Sequence, residues 1–395
     1  MIKINNPIEC CGCTACASIC QRKAITMQPD ALGFLYPKVD EGLCTNCGLC
    51  EKVCSFNKNY DRNHTTPKVY AVRHKDIAEV EKSRSGAMFI AITDHILNNG
   101  GVVYGAGYSD HFRVVHKRAT NTKERDEFRG SKYVQSDLGS TFIQVANDLK
   151  DGLEVCFSGT PCQTAGLHSF LKIKKINTEK LFLIDIVCHG TPAPYIWRDY
   201  LTYIEEKHGG EATEVSFRDK AVFGWAAHKE SFVIKGERIV ANTYSHLFSK
   251  YIFFRHSCGV CHFANCDRPS DITIGDFWGW ERVDKDLNKD DKGVSLVLVN
   301  TEKGRFLYEQ IAHAISSIEA ELKRALQPNL QAPSRTSSKR YKFEKDYVRK
   351  GFLYVVKKYG NLGYVYQIEK KFPLIHKIRW NINNRILNKI WKRKE

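Results

Sequence analysis

Fifteen cysteines stand in 395 residues, and eight of them repeat one spacing. Cys10, Cys13, Cys16 and Cys20 form a C-x2-C-x2-C-x3-C run, and Cys44, Cys47, Cys50 and Cys54 form a second. Disulfides, zinc and iron–sulfur clusters are the three chemistries that use thiols so densely. No apolar run approaches the ~20 residues that span a bilayer, and "MIKINNPIECC" has no apolar signal core. The chain is therefore expected to be cytoplasmic, where disulfides are rare. The odd cysteine total points the same way. Zinc prefers two knuckles far apart in sequence. Thiols three deep at every third position suit iron–sulfur cubanes, and in this run the fourth cysteine crosses to the other cluster. By that rule Cys10, Cys13, Cys16 and Cys54 hold one [4Fe–4S] cluster, and Cys44, Cys47, Cys50 and Cys20 hold another. The proline that usually follows the run is replaced by Gln21 and Ser55; it shapes a turn and ligates nothing. Cys11 is spare and reads as a small apolar residue in the cluster loop.

Six more cysteines lie further on. "FSGTPCQTAGL" and "DIVCHGTPAP" read as loops that follow apolar strands, and "RHSCGVCHFANC" carries a C-x2-C knuckle at Cys258 and Cys261. Two more loop cysteines would complete four ligands. On spacing alone zinc and an iron–sulfur cluster compete evenly here, because His256 and His262 flank the knuckle.

The elements that must position these loops follow from periodicity. "GAMFIAITDHILNNGG" and "FIQVANDLKDG" have helical apolar patterns. "VYAVRH", "GVVYGAGY", "LEVCFSG", "LFLIDIVCHG", "PSDITIGDFWGW" and "GVSLVLVNT" read as strands. Alternating strands and helices argue for an α/β body, between linkers at 57–68 and 331–340. The net charge of +16 is concentrated: Thr336–Glu395 holds 17 Lys and Arg against 4 Asp and Glu, so +13 of it. The body therefore carries no electrostatic sign of a nucleic-acid partner. The tail has an apolar stripe at Leu374, Ile378, Ile382, Ile386 and Ile390, beside Trp380 and Trp391. Such a stripe packs on the body or a second subunit, or lies on an anionic membrane surface; packing is the commoner outcome.

"RGSKYVQSDL", "CFSGTPCQTAGL", "LIDIVCHGTPAPYIW", "VSFRDKAVFGW" and "CGVCHFANCDRPSDITIGDFWG" resemble, in order and over roughly 67–335, the coenzyme F420 hydrogenase/dehydrogenase beta-subunit family. The body is also similar to plant 7-hydroxymethyl chlorophyll a reductase. The resemblance implies a flavoprotein that binds FAD and a third [4Fe–4S] cluster, with ligands at Cys162, Cys188, Cys258 and Cys261. Cys156 and Cys266 fall outside that set, although Cys266 is near enough in sequence to compete. The flavin or substrate would lie near Ser131, Lys132 and Tyr133, and near the Gly159-Thr160-Pro161 turn. "SRSGAMF" matches a Ser/Gly-rich stretch but has Ala87 where the family has a second glycine.

Elementary chemistry adds roles. Lys132 suits the negative charge of a reduced flavin or a phosphate. Ser85 and Gly86, ahead of a helix, suit a phosphate at its N-terminus or an ordinary N-cap. His189 and Asp276 are candidate proton donors. There is no G-x-G-x-x-G and no phosphate-binding GK[ST] loop, so neither a nicotinamide nor an ATP site is argued for.

The expected architecture is an α+β ferredoxin-like two-cluster domain (1–58), a larger α/β flavin-binding domain (67–335) and a basic helical tail (336–395). The expected function is an iron–sulfur flavoprotein oxidoreductase. It would move electrons between a ferredoxin or another redox protein and an unidentified organic or deazaflavin acceptor, in either direction. An electron-transfer subunit with no substrate of its own is the alternative, and a zinc-binding module is the reading from outside redox chemistry. The sequence also allows a homo-oligomer and peripheral membrane contact through the tail.

Overall fold

The computed structural model describes the chain apart from residues 57–59, 61–62, 365, 367 and 369–395. The cysteine runs are carried by two very short helices, Ala15–Ile19 and Leu49–Lys52, beside an antiparallel hairpin of β1 (Ile25–Pro29) and β2 (Leu35–Val39). Each short helix starts from a left-handed residue, Thr14 (φ 63°) and Gly48 (φ 75°). From that reversal the chain enters helices that bury Cys16 and Cys50. Ile19, Val53 and Phe56 bury this unit against helices Thr141–Lys150 and Pro161–Lys174 of the body, so the two share one apolar core.

The body strands are β3 (Lys68–His74), β4 (Val102–Tyr108), β5 (Val114–Ala119), β6 (Val155–Gly159), β7 (Leu181–Ile186), β8 (Ala212–Ser216), β9 (Glu230–Ile234), β10 (Glu237–Ala241), β11 (Ile272–Asp276), β12 (Ser295–Val299) and β13 (Ile315–Ala320). Eight of them form one sheet in the order β13-β3-β12-β11-β7-β6-β4-β5. Its centre is parallel, with β4 on β6, β6 on β7 and β7 on β11. Both flanks are antiparallel. The central strands are apolar because helices cover both faces; β12, "SLVLV", is buried along its whole length. The loops after β6, β7 and β11 leave the same sheet edge, where ligands of open α/β sheets collect. They carry Cys162, Cys188 and Trp278.

A second, three-stranded sheet (β10-β9-β8) packs with helices Pro194–His208 and Arg340–Lys358 around Trp197, Tyr200, Phe232 and Tyr244. The segment expected to open a separate tail is thus partly core: Phe343, Tyr347, Phe352, Val355 and Val356 are buried there. The stripe at Leu374, Ile378, Ile382, Ile386 and Ile390, with Trp380 and Trp391, lies outside the described residues, as does part of the linker at 57–68. No helix among the described residues is long and apolar enough to cross a membrane.

Candidate metal centres and an adjoining cavity

The thiols gather in groups. Cys16 feels the charges of Cys13, Cys10 and Cys54, and burial pushes its own thiol up. Those four thiols are the set that the crossing rule assigns to one cluster. In the other set, Cys44, Cys47, Cys50 and Cys20, the backbone donates to sulfur: Ile2 N–H to Cys50 Sγ (3.2 Å), Ala24 N–H to Cys20 Sγ (3.3 Å) and Asn46 N–H to Cys44 Sγ (3.4 Å). Such N–H···S bonds stabilise thiolates and raise cluster potentials. Cys47 is exposed.

In the body, Cys162, Cys188, Cys258 and Cys261 line one small cavity of about 30 Å³, walled by Phe56, Pro161 and Phe263. Their positions follow from local structure. Cys162 sits in the first turn of helix Pro161–Lys174, behind Thr160, whose N–H and Oγ1 are held by Gln163 Oε1 (2.9 and 3.0 Å). Cys188 follows β7, and its Sγ accepts from Gly190 N–H (3.3 Å). Cys258 Sγ accepts from Thr191 N–H (3.3 Å). Arg268 pairs with Asp185 of β7 (3.0 Å; 1% and 0% exposed) and donates to Phe263 O (2.7 Å) and Ile186 O (3.0 Å). It ties the chain after the knuckle to the end of the strand that leads to Cys188.

Three competing expectations are thereby sorted. His256 is bound to Glu344 (3.1 Å) and stacked on Tyr341; His262 stacks on Phe56 at 4.6 Å. Neither lines the cavity. Cys266 bonds Leu330 O (3.5 Å) in a different apolar cluster, and Cys156 is buried within β6. Among the described residues no three His, Cys, Asp or Glu side chains stand close enough to share a single metal ion. Four thiols around one apolar space are a donor set that a cubane uses.

Cys11 is not a spare apolar filler. It is buried, lines the small cavity beside Cys162, and the neighbouring Cys13 and Cys162 push its thiol well up. That contact draws Cys13 and Cys162 towards thiolate, Cys162 to about 7. It therefore bridges a cysteine of the first run and one of the body. The approach needs glycines: a Cβ on Gly166 would stand 2.8 Å from Cys13 Sγ, and one on Gly12 would stand 2.8 Å from Arg255.

Arg255, 1% exposed, spans the same gap. Its Nε donates to Cys10 O (2.7 Å), Nη1 to Gln135 Oε1 (2.8 Å), and Nη2 to Leu35 O (2.9 Å) and Cys10 Sγ (3.5 Å). The Tyr36 ring lies 4.1 Å from it, and it also lines the cavity beside Cys258. Sequence reasoning missed it, because no spacing rule singles out the arginine just ahead of the histidine–cysteine knuckle.

The segment Cys188–Thr191 walls a second, much larger cavity of about 850 Å³. This lies within the ~300–1,000 Å³ range of organic-ligand sites. Ser85, Ser131, Lys132, Tyr133, Gly159, Thr160, His189 and Asp276 all line it. Lys132 Nζ donates to Arg129 O (3.1 Å), and burial pushes its ammonium down to about 7. His189 reaches both cavities, and burial lowers its imidazole pKa.

Four expectations need correction. Gly86 does not line the cavity; it lets the backbone pass β3 and β12, since a Cβ would stand 2.1 Å from Val72 O and 2.7 Å from Ser295 N. Ser85 Oγ donates to Val294 O (2.6 Å), and the helix begins at Met88 from left-handed Ala87 with no side-chain cap. Pro161 faces the small cavity, not the large one. Asp276 is placed as a counter-ion, not as a proton donor: its Oδ2 accepts from Arg218 Nη1 (2.5 Å) and lies 3.7 Å from Arg84 Nε.

Known proteins agree in class. The family described as the C terminus of the coenzyme F420 hydrogenase/dehydrogenase beta subunit matches residues 152–323, and the 4Fe-4S dicluster domain matches residues 9–58. The chain is thus of the iron–sulfur, electron-transferring oxidoreductase class. Over residues 152–323 it is similar to the coenzyme F420 hydrogenase/dehydrogenase beta-subunit family, with a dicluster domain ahead of that segment. No curated protein matches it. Among solved structures, a chain from the xenon derivatization of the F420-reducing [NiFe] hydrogenase complex from Methanosarcina barkeri is similar, at 17% identity and TM-score 0.46. That likeness covers 76% of this chain and 94% of the other, and is too slight to carry an argument.

Proposed function

We propose that this chain is an iron–sulfur flavoprotein that moves electrons between a ferredoxin-type carrier and an organic or deazaflavin acceptor. The observation that supports it is the shared wall: Cys188–Thr191 separates a thiol-lined cavity from one of organic-cofactor size. In this reading Cys162, Cys188, Cys258 and Cys261 hold a third [4Fe–4S] cluster, and FAD occupies the large cavity beside Ser131, Lys132, Tyr133, Gly159 and Thr160. When bound, clusters supply single electrons and a flavin supplies the exchange to pairs. The protein's part is to hold these groups on one sheet edge, to exclude water, and to place Lys132 where negative charge develops. His189 is the candidate proton donor at the shared wall.

The family's description as a beta subunit favours action as the electron-transfer subunit of a larger redox complex over a stand-alone reductase. Anaerobic purification followed by a visible spectrum and iron assay tests the reading. A flavin band over an iron–sulfur shoulder that bleaches with dithionite supports it. Iron–sulfur absorbance with no flavin, even after incubation with FAD, would remove the flavin from it.

A further inference from the structure

One end of the large cavity carries more positive charge than the fold neutralises. Arg84 and Arg218 are 10% and 3% exposed and share one carboxylate, Asp276. Arg218 is fully engaged: besides Asp276, it donates to Ala227 O (3.3 Å) and Trp225 O (2.9 Å). Arg84 is not. Nη2 bonds Trp225 O, while Nη1 has no partner and Nε is too far from Asp276 for a hydrogen bond. The neighbouring Ser83 Oγ is also buried without a partner, and both residues line the cavity. Lys220 stands close behind, its Nζ spent on the carbonyls of Lys292 (2.7 Å) and Val80.

An uncompensated buried charge costs several kcal/mol in effective terms, so such a corner persists where a ligand completes it. Burial and Arg218 push Arg84 down, to about 10. Beside it lies a flat apolar floor: Trp278 stacks on Trp225 (4.3 Å) and on His228 (5.8 Å), and Arg218 lies 5.3 Å from the Trp278 ring.

We propose that Arg84, Arg218 and Ser83 form an oxyanion site that takes the phosphate or carboxylate of a ligand whose planar ring lies against Trp278 and His228. Arg84 Nη1 and Ser83 Oγ supply the donors, and Asp276 fixes the two guanidinium planes. The inference deepens the reading of the cavity as a cofactor and acceptor site. The oxyanion comes either from the diphosphate of the flavin or from an acid group of the acceptor.

The test uses the full chain with Arg84→Gln and Arg84→Lys, and the probes FAD, riboflavin and inorganic pyrophosphate. Loss of one charge-assisted donor weakens the anion by about 10- to 100-fold in Arg84→Gln, and by less in Arg84→Lys. If FAD weakens while riboflavin, which lacks phosphate, does not, the site serves the cofactor. If both flavins keep their affinity but pyrophosphate no longer binds the flavin-loaded protein, the site serves the acceptor. A chain that binds no flavin, yet binds pyrophosphate through Arg84, keeps the oxyanion site and ends the flavin reading. Thermal melting separates ligand binding from scaffolding: with no ligand, Arg84→Met should melt no lower than the parent. All three affinities unchanged in Arg84→Gln overturn the proposal, and a lower melting temperature in Arg84→Met then marks Arg84 as scaffolding.

Discussion

Replacing Arg255 with Gln removes a buried charge that touches both groups of thiols. Its Nη2 lies 3.5 Å from Cys10 Sγ, and the side chain also lines the cavity of Cys258. An electron added to a cluster spreads beyond the sulfur, so roughly twice that contact, ~7 Å, is a fair separation. At an effective dielectric constant of ~20, a unit charge there stabilises the added electron by about 2.4 kcal/mol. With a tenfold change at ~59 mV and ~1.4 kcal/mol for one electron, this is roughly 100 mV. Arg255→Gln should therefore lower the potentials of the Cys10-containing cluster and of the body cluster by tens of millivolts, up to about that value. Arg255→Lys, which keeps the charge but loses the fork, should shift both by less. The assay is a redox titration followed by low-temperature electron paramagnetic resonance, on protein with a verified full iron content. Unmoved potentials in a fully iron-loaded Arg255→Gln protein would refute the electrostatic reasoning and leave Arg255 as a structural tie between domains.

Other outcomes follow from the same geometry. Cys258→Ala should lower the iron content by about four atoms per chain, whereas Cys266→Ser should leave it unchanged; equal losses would reopen the ligand set. Lys132 falls from 10.5 to about 7 on folding. The unfolded chain then binds the extra proton between those values, so stability rises with pH across about 7 to 10.5. Lys132→Met should flatten that rise in denaturant titrations and raise stability below pH 7; an unaltered profile would contradict the burial argument. Gly166→Ala pushes a Cβ to within 2.8 Å of Cys13 Sγ, and overpacking of this kind costs about 1–3 kcal/mol. It should lower the melting temperature and loosen iron from the N-terminal domain before the body, which timed chelation would reveal.

The parts legible in sequence were those with a strict period or spacing. β4, β6, β7, β11 and β12 were readable as apolar runs because central strands are buried on both faces. The two ferredoxin runs were readable because a cubane restricts where its thiols come from. β8 and β10 escaped: their residues are largely exposed, "ATEVS" and "ERIVA", so no alternation marks them. The segment 340–358 reads as part of a basic tail because its many lysines hide a buried face of Phe343, Tyr347, Phe352, Val355 and Val356. Cys11 and Arg255 were missed for another reason. Their roles arise where residues distant in sequence meet, Cys11 with Cys162 and Arg255 with Cys10, and no local pattern encodes that meeting. Gly86 reads as a phosphate contact or part of an ordinary N-cap, because the close crossing of β3 and β12 that it permits leaves no mark in the local sequence.

The most direct test of the account is the iron, sulfide and flavin content of one anaerobically purified sample, read with its spectrum before and after dithionite. The account predicts about twelve iron and twelve sulfide atoms, from three cubanes, together with one FAD per chain. About eight iron atoms, with the thiols of Cys162, Cys188, Cys258 and Cys261 free to alkylation and no flavin retained, would contradict it.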